Sequence, residues 1–383
     1  MYFKIRGNLL SIFLAAFSIG ALVGCGGSDA KSDTIPDSSD VSPTFYSVVT
    51  FGDSLSDSGS IKYLTEQFAG DTSPLLKRSV PISPKDEYSG YYSGRFSNGE
   101  NWMDMFLTTL NLKVEDAQTC YLRGSNASCN YAVGSATTDE NLVSDEDPME
   151  PLKDLFKDSI VGDILNRFKI PQHVGIQQMI TTYLDVSQPS PDVMSHTLYV
   201  IWGGGNDYFS GEDPSTTVSN LISSIKEMLD YQPSQEMRYF LIPNLPDIGK
   251  TPYGVAHSDL NLTEKVKEHN RLLREQLNSE IISNPAYTGR VFIIQVDAYK
   301  AFNEIYNNPA RYGFTNVSDA CYVGGYMPGE ENTDCGEGQS YIFWDNIHPT
   351  TRAHCLFTQM TLYALKDADL VAKPDVVDNF KCD

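Results

Sequence analysis

Short apolar runs bounded by turn-forming residues recur along the chain at Tyr46–Phe51, Thr197–Trp202, Arg238–Ile242 and Val291–Val296, with a briefer one at Asn130–Val133. Their brevity and their β-branched and aromatic content predict buried strands. Between them, apolar positions repeat at helical spacing over Trp102–Leu110, Gln172–Leu184, Thr216–Asp230, Glu264–Ile282 and Thr350–Leu365. Strands that alternate with helices need crossover connections, which build a mostly parallel sheet covered on both faces. The predicted fold is therefore an α/β protein, a three-layer α/β/α sandwich. No internal repeat and no second composition zone calls for another domain after residue 44.

The first residues break this pattern. Lys4 and Arg6 precede an apolar run from Leu9 to Val23, the layout of a secretory signal peptide. The run closes on Leu22-Val23-Gly24-Cys25, which resembles the lipobox of bacterial lipoproteins, where cleavage before the cysteine frees its thiol to carry diacylglycerol. Residues 26–44 are rich in Ser, Asp, Gly and Pro, a composition that buries too little apolar surface to offset the entropy of ordering. The expected organisation is a lipoprotein signal peptide over 1–24, a lipidated polar tether over 25–44 and one large domain over 45–383. No other stretch approaches the roughly 18 apolar residues that span a bilayer. The chain is thus expected to be exported and membrane-attached through Cys25, at the outer membrane or cell surface because Gly26 rather than Asp follows the cysteine.

Charge and cysteines narrow the chemistry. The formal net charge of −22, from 28 basic and 50 acidic residues, argues against nucleic acid as a partner. No obligate protein partner is inferred. Setting Cys25 aside leaves six cysteines, which an oxidising compartment favours as disulfides. Sequence does not choose among the connectivities, and pairing in chain order is the expectation: Cys120–Cys129, Cys321–Cys335 and Cys355–Cys382. The second bridge would hold the segment that precedes Asp345. No Cys-x-x-Cys or His-Glu-x-x-His spacing suggests a metal site.

In open α/β sheets functional groups gather at the carboxyl ends of strands. The first strand runs into Gly52-Asp53-Ser54-Leu55, where Gly52 permits a tight turn and a helix is expected to begin at Leu55. Ser54 there is either a helix cap or a nucleophile near a positive helix end. The Thr197–Trp202 strand runs into Gly203-Gly204-Gly205-Asn206-Asp207, and near the C-terminus Asp345 precedes His348 by three residues in Phe343-Trp344-Asp345-Asn346-Ile347-His348. One turn brings that carboxylate to the imidazole, fixing its tautomer and leaving the other nitrogen to take a proton from Ser54.

With these residues in hand, the chain resembles the GDSL or SGNH hydrolase family over most of the domain, from Val48 to about His354. Ser54 matches the first block, Asn130–Thr137 the second, Gly204-Gly205-Asn206-Asp207 the third, and Asp345 with His348 the last. Gly94–Gly99 and Asn244–Gly249 are similar to secondary signatures of its lipolytic branch. The resemblance implies a flavodoxin-like sandwich, a serine esterase with Ser54, His348 and Asp345 as catalytic residues, and neither metal nor organic cofactor. It also implies an oxyanion hole from the Ser54 and Ser135 N–H groups and the Asn206 amide. The family places glycine where Ser135 stands here, and if the second block slips by one residue Gly134 is the donor instead. The expected substrate is a lipid acyl ester, with lysophospholipid or phospholipid foremost. Carbohydrate acetylesterase or choline esterase activity is the alternative within the family, and a non-catalytic anchored binding module the alternative outside it.

Overall fold

The central strands align because their side chains alternate between two apolar layers. The computed structural model describes residues 45–63, 90–139, 175–232, 234, 236–324, 333–371 and 373–382. The signal peptide, Cys25, Gly26 and the tether lie outside the described residues, as do 172–174 at the start of the second expected helix. The strands are β1 (Ser47–Gly52), β2 (Cys129–Asn130), β3 (Thr197–Trp202), β4 (Arg238–Pro243) and β5 (Val291–Val296). They form one parallel sheet in the order β2-β1-β3-β4-β5, the flavodoxin-like order.

The longer helices are α1 (Trp102–Thr109), α2 (Ile176–Ser187), α3 (Pro214–Asp230), α4 (Leu262–Gln276), α5 (Ala298–Asn307) and α6 (Thr351–Asp367). Val49, Phe51, Tyr199, Ile201 and Phe240 project into one core with α2 and α3. Val48, Leu198, Val200, Trp202 and Leu241 project into the other with α1 and α6. That strict alternation is the period-two geometry of a strand, and with both faces covered it gives the predicted sandwich.

Local chemistry sets the helix ends. Asn101 caps α1 through Met103 and Asp104 N–H, Asp104 returns a bond to the Asn101 N–H, and Arg95 grips Asp104 at 2.8–2.9 Å. Asp213 caps α3 ahead of Pro214 at its first position, where the missing N–H costs nothing. The expected helix Glu264–Ile282 changes to a π-helical turn from Leu277. Two expectations need correction. No helix begins at Leu55: residues 54–56 are a turn in which the N–H groups of Ser56 and Asp57 donate to the Asp53 carbonyl, and helical residues start at Ser60. The Asp53 carboxylate caps only this turn, at the Leu55 N–H, while Asp57 takes the N–H groups of Gly59, Ser60 and Ile61 and so starts the helix later. Helix α5, missing from the sequence-based pattern, is capped by Asp297 through the Lys300 N–H.

The cysteines pair as Cys120–Cys129, Cys321–Cys335 and Cys355–Cys382. Strands Asn316–Ala320 and Tyr341–Phe343 run parallel outside the main sheet. Cys321 and Tyr322 N–H donate to the carbonyls of Phe343 and Trp344. The second bridge thus ties down the segment entering Asp345.

Candidate active site

Strand register decides where the chemistry sits. Gly52 at the end of β1 pairs with Trp202 at the end of β3, so the turns after these neighbouring strands emerge side by side. Strand order reverses between β1 and β3, and this is where open sheets leave a crevice. A side chain at Gly52 would collide with the Trp202 carbonyl, its Cβ only 2.6 Å away. Glycine is therefore what lets the two turns close up.

Ser54 sits at the tip of the first turn. Its Oγ lies 2.8 Å from His348 Nε2, and His348 Nδ1 lies 2.7 Å from Asp345 Oδ2. All three residues are buried. The Asp345–His348 segment is a self-capped turn: Asp345 Oδ1 accepts the N–H groups of Ile347 and His348, and Trp344 N–H donates to the His348 carbonyl. Burial opposes the charge on Asp345, but the His348 ring and its hydrogen bond, with further bonds from Tyr91 and the His348 N–H, outweigh it and hold the carboxyl below its usual range.

Two stretches noted in the sequence without a structural role now acquire one. Ser97 Oγ donates to the Pro349 carbonyl, Asn98 Oδ1 accepts the Thr351 N–H, and the Phe96 ring lies 4.9 Å from that of His348. The Gly94–Gly99 block therefore braces the histidine loop. Pro246, Asp247 and Ile248 of the Asn244–Gly249 stretch line the cavity beside Ser54.

The second and third blocks converge on the same turn. Gly134 N–H donates to Asp57 Oδ2 at 2.8 Å, which commits it elsewhere, whereas no acceptor takes the Ser135 N–H among the described residues. Ser135 has φ +66°, the left-handed region that glycine enters without strain. The serine keeps the backbone shape that a glycine would have there. Asn206, the second residue of the short helix Gly205–Phe209, lines the cavity with Ser54 and gives one amide N–H to the Ala136 carbonyl at 2.9 Å. An amide has two such donors.

Sequence reasoning missed several polar groups here because their partners are distant in the chain. Asp57 accepts four N–H groups, from Gly59, Ser60, Ile61 and Gly134, and so splices the Ser54 turn to the second block. Burial nonetheless pushes its pKa up to about 6. Burial also raises Asp53 and Asp207 to about 6. Asp207 Oδ1 takes the Thr138 N–H and hydroxyl, while Oδ2 is enclosed without a partner among the described residues. His354, buried on the cavity wall, is driven down to about 3 and stays neutral at working pH.

Ser54 and Asn206 line a cavity of about 130 Å³. Ala298, Ala301, Phe302 and Ile305 line it from α5 at the i, i+3, i+4, i+7 spacing of one helix face, and Ala353, Leu356 and Phe357 line it from α6. Its walls are mostly apolar, with Asp53, Ser54, Asn206, Asp247, Thr251 and His354 as the polar side chains among them.

The family model described as GDSL-like lipase/acylhydrolase matches residues 48–359. A GDSL esterase/lipase of Arabidopsis thaliana is 24% identical over 345 residues, covering 84% of this chain and 87% of the relative. The phosphatidylcholine-sterol acyltransferase of Aeromonas hydrophila is 23% identical over 364 residues, covering 84% and 90%. Among solved structures, a lipolytic G-D-S-L family protein from Veillonella parvula aligns over 84% of this chain and 98% of its own, at 13% identity and a TM-score of 0.39.

Proposed function

The chain belongs to the GDSL-like lipase/acylhydrolase family of serine ester hydrolases, and from that premise we propose that it hydrolyses long-chain acyl esters of lipids through Ser54, His348 and Asp345. The observation that carries the reading is the continuous hydrogen-bonded line from Ser54 Oγ to His348 and Asp345, with Ser54 on the wall of a mostly apolar cavity.

In the first half-reaction Ser54 Oγ attacks the ester carbonyl while His348 Nε2 takes its proton. Asp345 fixes the tautomer that leaves Nε2 unprotonated and stabilises the imidazolium that forms. The negative oxygen of the tetrahedral intermediate receives the Ser54 and Ser135 N–H groups and the second Asn206 amide proton. Each such donor contributes roughly 3 kcal/mol. His348 then returns the proton to the leaving alcohol, and water, activated by the same imidazole, releases the acid from Ser54.

The cavity walls support an acyl chain as the substrate's apolar part. Each buried methylene contributes about 0.8 kcal/mol, so a site of this kind discriminates by chain length, whereas an acetyl group would leave most of it empty. Similarity to an enzyme named for phosphatidylcholine points to a phospholipid or lysophospholipid. Attachment through a lipid on Cys25, in an exported bacterial lipoprotein at the outer membrane or surface, would place the site beside such substrate. Fractionation of Cys25→Ser tests that part, and continued membrane residence of the processed variant would refute it.

Two measurements test the central reading. Fluorophosphonate should label the protein and not Ser54→Ala. Across C2 to C16 esters kcat/KM should rise with chain length, with fatty acid released from lysophosphatidylcholine. Activity confined to acetyl esters would discard the lipid substrate in favour of acetylated carbohydrate or choline esters, and absence of labelling would leave a non-catalytic binding module.

A further inference from the structure

Tyr91 Oη donates to Asp345 Oδ2 at 2.5 Å, the same oxygen that faces His348 Nδ1. The two residues are 254 positions apart in the chain. The tyrosine is itself buried and tightly held. Its ring meets Tyr322 edge-on at 5.1 Å and Phe96 at 6.5 Å, and Tyr322 stacks on Trp344 at 5.3 Å. Tyr322 is anchored beside the Cys321–Cys335 bridge and by its N–H to the Trp344 carbonyl. At Gly90 a Cβ would come within 2.9 Å of both the Trp344 and Tyr322 rings. Glycine there lets the backbone carry Tyr91 up to Asp345.

We propose that Tyr91 is a positioning residue for acyl transfer, acting through Asp345: its hydroxyl holds the carboxylate on His348 Nδ1 and draws off part of its negative charge. The proposal rests on the assignment of Ser54, His348 and Asp345 made above. Oδ1 is already filled by two backbone N–H groups, so Tyr91 is the donor that governs the oxygen presented to the histidine. A hydroxyl bonded to an ionised carboxylate is among the stronger hydrogen bonds. Charge shared with Tyr91 stabilises the His348 imidazolium less than an unshared carboxylate would. The other titratable groups bearing on His348 are Asp53 from the turn after β1 and His354 from α6, while Tyr322 faces the Tyr91 ring. None of these is altered by removing the Tyr91 hydroxyl.

Tyr91→Phe keeps the ring and deletes the donor. We expect kcat/KM for p-nitrophenyl butyrate, and the rate of fluorophosphonate labelling, to fall about tenfold, because a carboxylate released from Tyr91 no longer holds the His348 ring on Ser54, a positional loss that outweighs the gain from its fuller charge. The acid limb of the pH–rate profile should move to higher pH. Placing 3-fluorotyrosine, a stronger donor, at position 91 should move the limb to lower pH without changing packing, and serves as well if the phenylalanine variant does not fold. In an Asp345→Asn background the Tyr91→Phe effect should vanish, because a double-mutant cycle isolates the pairwise part. An unmoved acid limb in both variants, or an equal loss in the Asp345→Asn background, would overturn the role of Tyr91 while Ser54→Ala stays unlabelled. Labelling of Ser54→Ala would overturn the catalytic assignment and the Tyr91 role together.

Discussion

On the proposed long-chain reading, narrowing the cavity from α5 should shift the preference to short acyl chains. Ala301 is a small residue on the α5 face that lines the cavity, between Ala298 and Ile305 and next to Phe302. In Ala301→Trp the indole takes the room of about four methylenes, each contributing about 0.8 kcal/mol when buried. Long-chain substrates thus lose about 3 kcal/mol of transition-state binding, or somewhat more than a hundredfold in kcat/KM. Acetyl and butyryl esters, which do not reach that depth, should keep their rates, because the substitution touches none of Ser54, His348, Asp345, Ser135 or Asn206. The assay is kcat/KM across C2 to C16 p-nitrophenyl esters for the parent and the variant, with labelling by fluorophosphonate to count active sites. A uniform loss at every chain length would show that the tryptophan disturbs the site rather than the cavity. An unchanged C16 rate would show that the acyl chain does not lie between α5 and α6.

Three further outcomes follow from the geometry. Ser135→Gly should raise stability by about 1 kcal/mol in denaturant unfolding, because serine at φ +66° is strained, and should retain activity because the proposed donor is backbone. Asp57→Asn replaces a carboxylate oxygen by an amide that cannot accept, stranding N–H groups at the Ser54 turn; a loss of about 3 kcal/mol in stability and reduced kcat are expected. Burial raises Asp207 from 3.8 to about 6, so the folded state retains a proton that the unfolded chain releases. Its stabilisation is complete below about pH 4 and is lost as pH rises through about 6. Melting temperatures of Asp207→Asn measured against the parent should therefore climb across that window, and a constant difference would contradict a neutral Asp207.

The central strands were legible because they are buried on both faces and read as nearly unbroken apolar runs, as Thr197–Trp202 shows by coinciding with β3. Ser54, Asn206, Asp345 and His348 were legible because they stand at strand ends or within one short turn, where local order in the chain is also order in space. Helix α5 carries the regular apolar spacing of Ala298, Ala301, Phe302 and Ile305, but it follows β5 with only Asp297 between and so merges with that strand's apolar run. The helix expected at Leu55 begins later for a local reason, the Asp57 carboxylate capping the N–H groups of Gly59, Ser60 and Ile61. The bonds of Tyr91 to Asp345 and of Asp57 to Gly134 carry no local signal, because the partners lie far along the chain.

The hydrogen bond between Ser54 and His348 spans 294 residues, so under the proposed mechanism hydrolytic competence is a property of the finished polypeptide. The five-stranded sheet is complete by Val296, so a chain stopped there holds every main-sheet strand and the serine, yet lacks the proposed base. Contacts of such long range form late because loop closure must precede them. On that mechanism a nascent chain missing its last forty residues should be inert towards esters, and acyl transfer should begin only when the C-terminal segment docks.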